Sequence, residues 1–430
     1  MQSFPNDRRT LLRGLAGAAA LGALGLPLRR ARAAPSTVVI AGGGFAGASC
    51  ALALRRLAPQ VRVTLVDRQP HFVTGPFCNA VIAGLRPISS ITQGHAGLSA
   101  AGVRIVHADI DGVEPAARRI RLADGRTIGG DRLVIAPGID FDWAAIDGYG
   151  PAQVERIPHA WPGGAEALRT LRQQLRAMPD NGRVVISVPD NPYRCPPGPY
   201  ERASLIAHFL KQHKPQASVL ILDAKDHFSK EPLFRTAWGT RYGERLQWRG
   251  GRRDGARVVA VDSQSRCVRT ISGDEYAADV LNIIPPQRAG RLAGDAGLTD
   301  AAGWVPVAAH DFSVAGYAGV HVIGDAARAE PMPKSAYAAN MQAKLCAHAI
   351  ARDLAGEPAV ETKLINACYS LVAPDYGISI TEVYRLDGDT LAAIANAGGI
   401  SALAADSQTR AAEADYARAW YQNIVRDSFG

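Results

Sequence analysis

Two rhythms of apolar and polar residues alternate along this chain. Short β-branched runs, apolar on successive positions, have the pattern of strands buried on both faces, and longer mixed stretches between them have helical spacing. The first run, Ser36-Thr37-Val38-Val39-Ile40-Ala41, passes directly into Gly42-Gly43-Gly44-Phe45-Ala46-Gly47 and then into a predicted helix over residues 46–57. A second strand, residues 61–66, ends in Asp67, 20 residues past Gly47. The rhythm recurs: residues 182–188 predict a strand, a loop leads to a helix from Glu201, and residues 218–223 predict the next strand. Two more buried strands, residues 131–138 and 321–326, each end in glycine and return the chain to the first unit. The expected class is α/β, with two Rossmann-like dinucleotide-binding domains and a small C-terminal α+β domain. The expected boundaries are 34–150 with 285–362 for the first domain, 151–284 for the second and 363–430 for the third.

Chemistry enters through the loops. Gly42, Gly44 and Gly47 let backbone approach a pyrophosphate, and the helix behind them offers oriented N–H groups and a positive dipole end. Asp67 stands where an acid accepts hydrogen bonds from a ribose hydroxyl, so the first domain is expected to bind FAD. Asp325, at a strand end ahead of a helix near Ala338, is placed to meet a ribityl chain or pyrophosphate, although a plain helix cap would look the same. In the second domain the glycine loop is replaced by residues 189–200, Pro-Asp-Asn-Pro-Tyr-Arg-Cys-Pro-Pro-Gly-Pro-Tyr. Prolines carry no N–H to cradle phosphate, so NAD(P)H is not expected there.

Composition narrows the class. With 47% hydrophobic and 20% charged residues in 430, the chain has the make-up of a soluble globular protein of two or three domains. Residues 1–33 carry Arg8-Arg9, an apolar run over 15–26 and Ala31-Arg32-Ala33, the order of a twin-arginine export signal with its cleavage site. That segment holds six arginines and one aspartate, a contribution of +5 to the formal net charge of +8, and the remainder stands near +3. So small an excess argues for neither nucleic acid nor a membrane surface as partner, and no later segment reads as a transmembrane helix. The expected location is the periplasm. Six cysteines in an oxidising compartment are compatible with a disulfide, and none sits in the Cys-x-x-Cys-His pattern that attaches c-type haem. No metal site is expected.

These signatures together resemble the disulfide-reductase-like flavoproteins with two dinucleotide domains, and within them the flavoprotein subunit of flavocytochrome c sulfide dehydrogenase. The residues that carry the resemblance are Arg194-Cys195-Pro196-Pro197-Gly198-Pro199-Tyr200-Glu201-Arg202-Ala203-Ser204, Ile284-Pro285-Pro286-Gln287-Arg288, Pro331-Met332-Pro333-Lys334-Ser335, Cys368-Tyr369-Ser370, Ala373-Pro374-Asp375-Tyr376-Gly377 and Trp420-Tyr421-Gln422-Asn423. The resemblance implies a redox-active disulfide between Cys195 and Cys368 stacked on the flavin, with Glu201 as a proton-transfer group. From spacing alone Cys368 cannot be paired with Cys195, and two inert thiols would look the same. Likewise a solvated carboxylate at a helix start would look like Glu201. The resemblance also implies that hydrosulfide opens the disulfide, that two electrons reach FAD together, and that they leave singly to haem on a c-type cytochrome subunit. Thr74, Ala136, Gly138 and Lys334 join the expected flavin contacts.

One departure stands out. Where the family often links flavin through a cysteine after threonine, Thr74 is followed here by Gly75, and the next cysteine is Cys78. Non-covalent FAD is therefore expected, with Cys78 as an ordinary buried thiol. Cys50, Cys267 and Cys346 lie in helix- or strand-like stretches and read as structural. Two rival readings are a sulfide:quinone oxidoreductase, which would need an amphipathic docking tail that residues 415–423 do not provide, and an accessory flavoprotein of a sulfur-oxidation complex with little turnover of its own.

Overall fold

A computed structural model describes residues 34–161 and 164–430; the expected export signal, residues 1–33, lies outside the described residues. Ser36–Gly430 form one compact unit. Its first sheet is built on β1 (Thr37–Ala41), the helix α1 (Phe45–Leu57), β2 (Arg62–Asp67), β3 (Arg104–His107) and β4 (Arg132–Ile135). The second sheet follows as β5 (Arg183–Val188), α2 (Gly198–His213), β6 (Ser218–Asp223), α3 (Glu231–Arg241), β7 (Leu246–Arg249) and β8 (Val280–Ile283). The chain then returns to the first sheet through β9 (Val320–Val322) and α4 (Ala336–Ala355). It ends in a hairpin of β10 (Leu364–Ala373) and β11 (Tyr376–Asp387), joined by β12 (Thr390–Ala393), and in α5 (Ser407–Phe429).

Both large sheets are parallel, in the orders β9-β4-β1-β2-β3 and β7-β6-β5-β8. Each therefore reverses strand order beside its first strand, and open α/β sheets receive ligands at that reversal, beyond the carboxyl ends of the strands. β1 ends in the glycine loop. β5 ends in the loop that carries Cys195. The strands lie on buried Val, Ile and Leu side chains, as their continuous apolar runs require; Val38, Ile40, Leu65, Val184 and Ile186 have essentially no exposed surface.

The α/β class with two dinucleotide-type sheets and a C-terminal α+β part is the architecture observed. One element differs in its start. α2 begins at Gly198 rather than Glu201, because Pro199 falls in the first turn, where a missing N–H leaves no helical bond unmade.

Candidate active site

Gly42 closes the end of β1 with φ +106°, and a side chain there would stand 2.3 Å from the Ala136 carbonyl oxygen. Gly47 lies inside α1, where a Cβ would stand 1.8 Å from the Gly42 carbonyl oxygen. Only glycine lets the helix sit this close behind the loop. Asp67 holds the loop from β2: its Oδ2 accepts the Gly43 N–H at 2.6 Å and its Oδ1 the Gln69 N–H at 2.8 Å. In front of this loop opens a cavity of about 960 Å³, lined among others by Gly42, Gly44, Asp67, Ala136, Gly138 and Asp325.

The same cavity is walled on its other side by Cys195, Glu201, Cys78 and Cys368. Thus side chains 173 positions apart, from the loop after β5 and from β10, meet in one chamber with the glycine loop. Cys195 stands in the left-handed region at φ +61°, and its N–H donates to the Lys334 carbonyl at 2.7 Å. Its own carbonyl accepts from Gly198 N–H at 2.8 Å, which leads the strained turn into α2. Both cysteines are free thiols in this structure. Burial pushes the Cys195 thiol well up, and the neighbouring Cys368, Glu201 and Cys78 push it further. Burial also raises Cys368, but Lys230 opposes that rise.

Glu201 sits in the first turn of α2, bonded on both oxygens. Leu371 N–H donates to its Oε1 at 2.8 Å and Asn79 Nδ2 to its Oε2 at 2.7 Å. Burial nevertheless raises its carboxyl above the ordinary value. Asn79 in turn accepts from Arg202 Nε at 3.0 Å, and the guanidinium of Arg202, wholly buried, also donates to the carbonyls of His159 and Ala160 and to Asn282. This chain of donors ties the Cys78 segment, α2 and β10 into one wall.

Several expected contacts need correcting. The Lys334 ammonium does not line the cavity: it donates to the Ala327 carbonyl at 2.9 Å and lies 3.7 Å over the Trp304 ring. Lys334 touches the site through its backbone carbonyl, while its buried ammonium acts on Asp325 through charge. Thr74 is fully buried, its hydroxyl bonded to Pro76 O and to Tyr421 Oη, 2.9 Å away on α5, so its side chain braces the tail. Gly47 acts from behind the loop. Cys78 is buried as expected, but it also forms part of the cavity wall. Sequence reasoning passed over Asn79, Arg202 as a network member, Asn366 and Lys230, whose charges or amides acquire meaning only through tertiary burial.

The cavity fits a flavin dinucleotide. Asp325 Oδ1 is buried without a hydrogen-bond partner, and burial raises this carboxyl, while its Oδ2 stands 4.0 Å from the Arg194 guanidinium. An orphaned acceptor beside a glycine loop is what a ligand hydroxyl would satisfy. The indole N–H groups of Trp161 and Trp420, both on the cavity wall, are likewise buried and unpartnered. The second sheet has a smaller cavity of about 290 Å³ beyond the ends of β5 and β8, lined among others by Val188, Pro189, Asp190, Ala224 and Ile284. Asp223, the acid that ends β6, is wholly buried and already accepts from Tyr200 Oη at 2.5 Å, Lys225 Nζ at 2.6 Å and Trp248 Nε1 at 3.0 Å, leaving nothing for a ribose.

Comparison with known proteins agrees with this layout. Residues 168–285 match the family model for the central part of the sulfide dehydrogenase [flavocytochrome c] flavoprotein chain, and residues 360–429 match the flavin-binding model of flavocytochrome c sulphide dehydrogenase. Residues 36–182 match the pyridine nucleotide-disulphide oxidoreductase model. The sulfide dehydrogenase [flavocytochrome c] flavoprotein chain of Chlorobaculum thiosulfatiphilum is 59% identical over 44 residues, 10% of this chain and 92% of that sequence. The mitochondrial sulfide:quinone oxidoreductase of Mus musculus is 24% identical over 308 residues, 67% of this chain and 65% of that protein, slightly under two thirds of its length. Among solved structures, the sulfide:quinone oxidoreductase of Aquifex aeolicus superposes with a TM-score of 0.70 at 18% identity over 92% of both chains. A putidaredoxin reductase complex does so with 0.63 at 18% identity, over 92% of this chain and 94% of that one. With its central and C-terminal parts both matching models of this one family, the chain belongs to the flavoprotein chains of flavocytochrome c sulfide dehydrogenase.

Proposed function

We propose that this chain oxidises sulfide at Cys195 and Cys368 and passes the electrons through non-covalent FAD to a c-type cytochrome subunit, in the periplasm after twin-arginine export. The observation that carries this reading is the meeting of both cysteines and Glu201 with the glycine loop and Asp325 around one cavity. Gly42, Gly44, Asp67, Ala136, Gly138 and Asp325 would hold the dinucleotide. Bound there, FAD supplies an acceptor that takes electrons in pairs and releases them one at a time.

In the oxidised pair, hydrosulfide bonds to one cysteine sulfur as the S–S bond breaks, and the other cysteine leaves as thiolate with the displaced electron pair. Cys195 is held for this by its N–H bond to the Lys334 carbonyl, on a loop stiffened by Pro196 and Pro197. The proton released from hydrosulfide can be held at a Glu201 carboxyl oxygen, whose raised affinity for protons follows from burial. Trp161 and Trp420 line the chamber and keep water from the persulfide. Without a Cys-x-x-Cys-His motif in this sequence, the proposed haem would be carried by a partner. Gly75, where the family often carries its flavin-linking cysteine, supports a non-covalent cofactor.

A single experiment tests both the pairing and the tether. Holoprotein isolated in air is alkylated, precipitated in acid and digested without reductant. Flavin free in the supernatant and a Cys195–Cys368 linked peptide are expected; flavin on the denatured chain contradicts the non-covalent reading, and separate alkylation of the two cysteines contradicts the pair.

A further inference from the structure

Lys230 precedes α3 with a left-handed backbone, φ +62°, and is 4% exposed. A buried ammonium needs a negative partner, or its proton is driven off. Its hydrogen-bond acceptors are both neutral: the Ser370 hydroxyl at 2.8 Å and the Cys368 carbonyl at 3.3 Å. The acids that act on it most strongly are Cys368 on β10, Glu201 on α2, Cys195 before α2 and Glu413 on α5. Glu413 is already bonded to Arg410, at 2.7 Å, and to Ser401. Glu201 is already bonded to Leu371 N–H and Asn79.

Cys368 differs from these. Asn366, 1% exposed, accepts the Ser335 hydroxyl on its Oδ1 at 2.7 Å, and Cys368 Sγ lies 3.5 Å from its Nδ2, as acceptor, and 3.6 Å from the same Oδ1, to which only a thiol could donate. An N–H donor on sulfur favours thiolate over thiol. Lys230 and Asn366 thus approach one cysteine of the pair, from its backbone and from its sulfur. Beyond burial, Cys368, Glu201 and Cys78 raise the Cys195 thiol, and the cations Lys230 and Arg202 also act on it, but among the described residues no side-chain amide donates to its sulfur as Asn366 does to Cys368.

We propose that Lys230 is the positioning residue of the cysteine pair: its buried ammonium makes Cys368 the sulfur that carries the negative charge when the pair is reduced. This rests on the proposed redox role of the pair and adds a direction to it. On reduction the S–S bond takes up two electrons; one proton goes to Cys195 as thiol, and Cys368 stays as thiolate against the Lys230 ammonium. Charge in the chamber is then balanced without a proton on both sulfurs. The same ammonium would favour Cys368 as the leaving sulfur whenever the disulfide is opened.

The test uses FAD-loaded protein reduced with dithiothreitol, desalted without air and pulsed with limiting iodoacetamide across a pH series, with the alkylated cysteine mapped by mass spectrometry. In the unmodified chain Cys368 is alkylated ahead of Cys195, and its rate rises at lower pH than that of Cys195. Lys230→Met slows Cys368 about tenfold near neutral pH, a shift of roughly one pKa unit. Lys230→Arg keeps the preference, and retained flavin absorbance shows each variant folded. Equal rates on the two cysteines, or a preference untouched in Lys230→Met, overturns the proposal. The unreduced samples report separately on the pair: absence of the Cys195–Cys368 linked peptide removes the redox reading itself, whereas its presence with unaltered Cys368 reactivity removes only the role of Lys230.

Discussion

Glu201 accepts two N–H bonds, yet burial outweighs them and leaves its carboxyl above the ordinary glutamate range. A raised folded value means that the folded chain holds this proton more tightly than the unfolded chain does. The stabilisation is complete below the ordinary value of about 4.3 and is lost as pH rises through the raised one. Glu201→Gln suffers no such loss. Its melting temperature relative to the unmodified protein is therefore expected to become more favourable from about pH 4 to about pH 8, and a difference flat across that range contradicts proton storage at this residue. At this scale the sequence was read unevenly. Cys195 and Glu201 were legible because they share one stiff, proline-rich motif that ends a strand. Lys230 and Asn79 were not, since nothing next to them in sequence tells a buried lysine or amide from a solvated one. The side-chain partners of Lys334 and Thr74 were not legible either: Trp304, Ala327 and Tyr421 are brought near only by the folded chain.

At the scale of elements, the unit β1, glycine loop, α1 and β2 was readable almost to the residue, because strand run, glycines and terminal acid each constrain the next. Gly47 is the tightest point. A methyl group there would lie 1.8 Å from the Gly42 carbonyl oxygen, so helix or loop must shift. Gly47→Ala is expected to cost on the order of 3 kcal/mol in thermal unfolding and to yield colourless protein. Gly297 is the control: it has φ +68° but open space around it, so Gly297→Ala should cost about 1 kcal/mol of backbone strain and keep its flavin. Equal losses at both positions would remove the close helix approach as the reason for the glycine. The second βαβ unit was legible as strands, but the fate of its acid was not. Asp223 ends β6 as Asp67 ends β2, and only the fold brings Tyr200, Lys225 and Trp248 onto its carboxylate.

On the scale of the whole molecule, the cavity exists because three parts of the chain close on it: the first sheet with its glycine loop, the second sheet with Cys195 and Glu201, and the tail with Cys368 and Trp420. The tail was recognisable as a separate part but not as a wall, since the hairpin register that faces Cys368 inward and the Thr74–Tyr421 bond that pins α5 are long-range facts. Electron flow across these parts is the central claim. Its most direct test is anaerobic mixing of the FAD-loaded protein with sulfide, followed by cytochrome c or a soluble quinone, with the visible flavin absorbance recorded throughout. Rapid bleaching by sulfide, recovery on adding cytochrome c, and loss of the bleaching in Cys195→Ser are predicted; bleaching of Cys195→Ser at the unmodified rate, or recovery with quinone alone, would contradict the account.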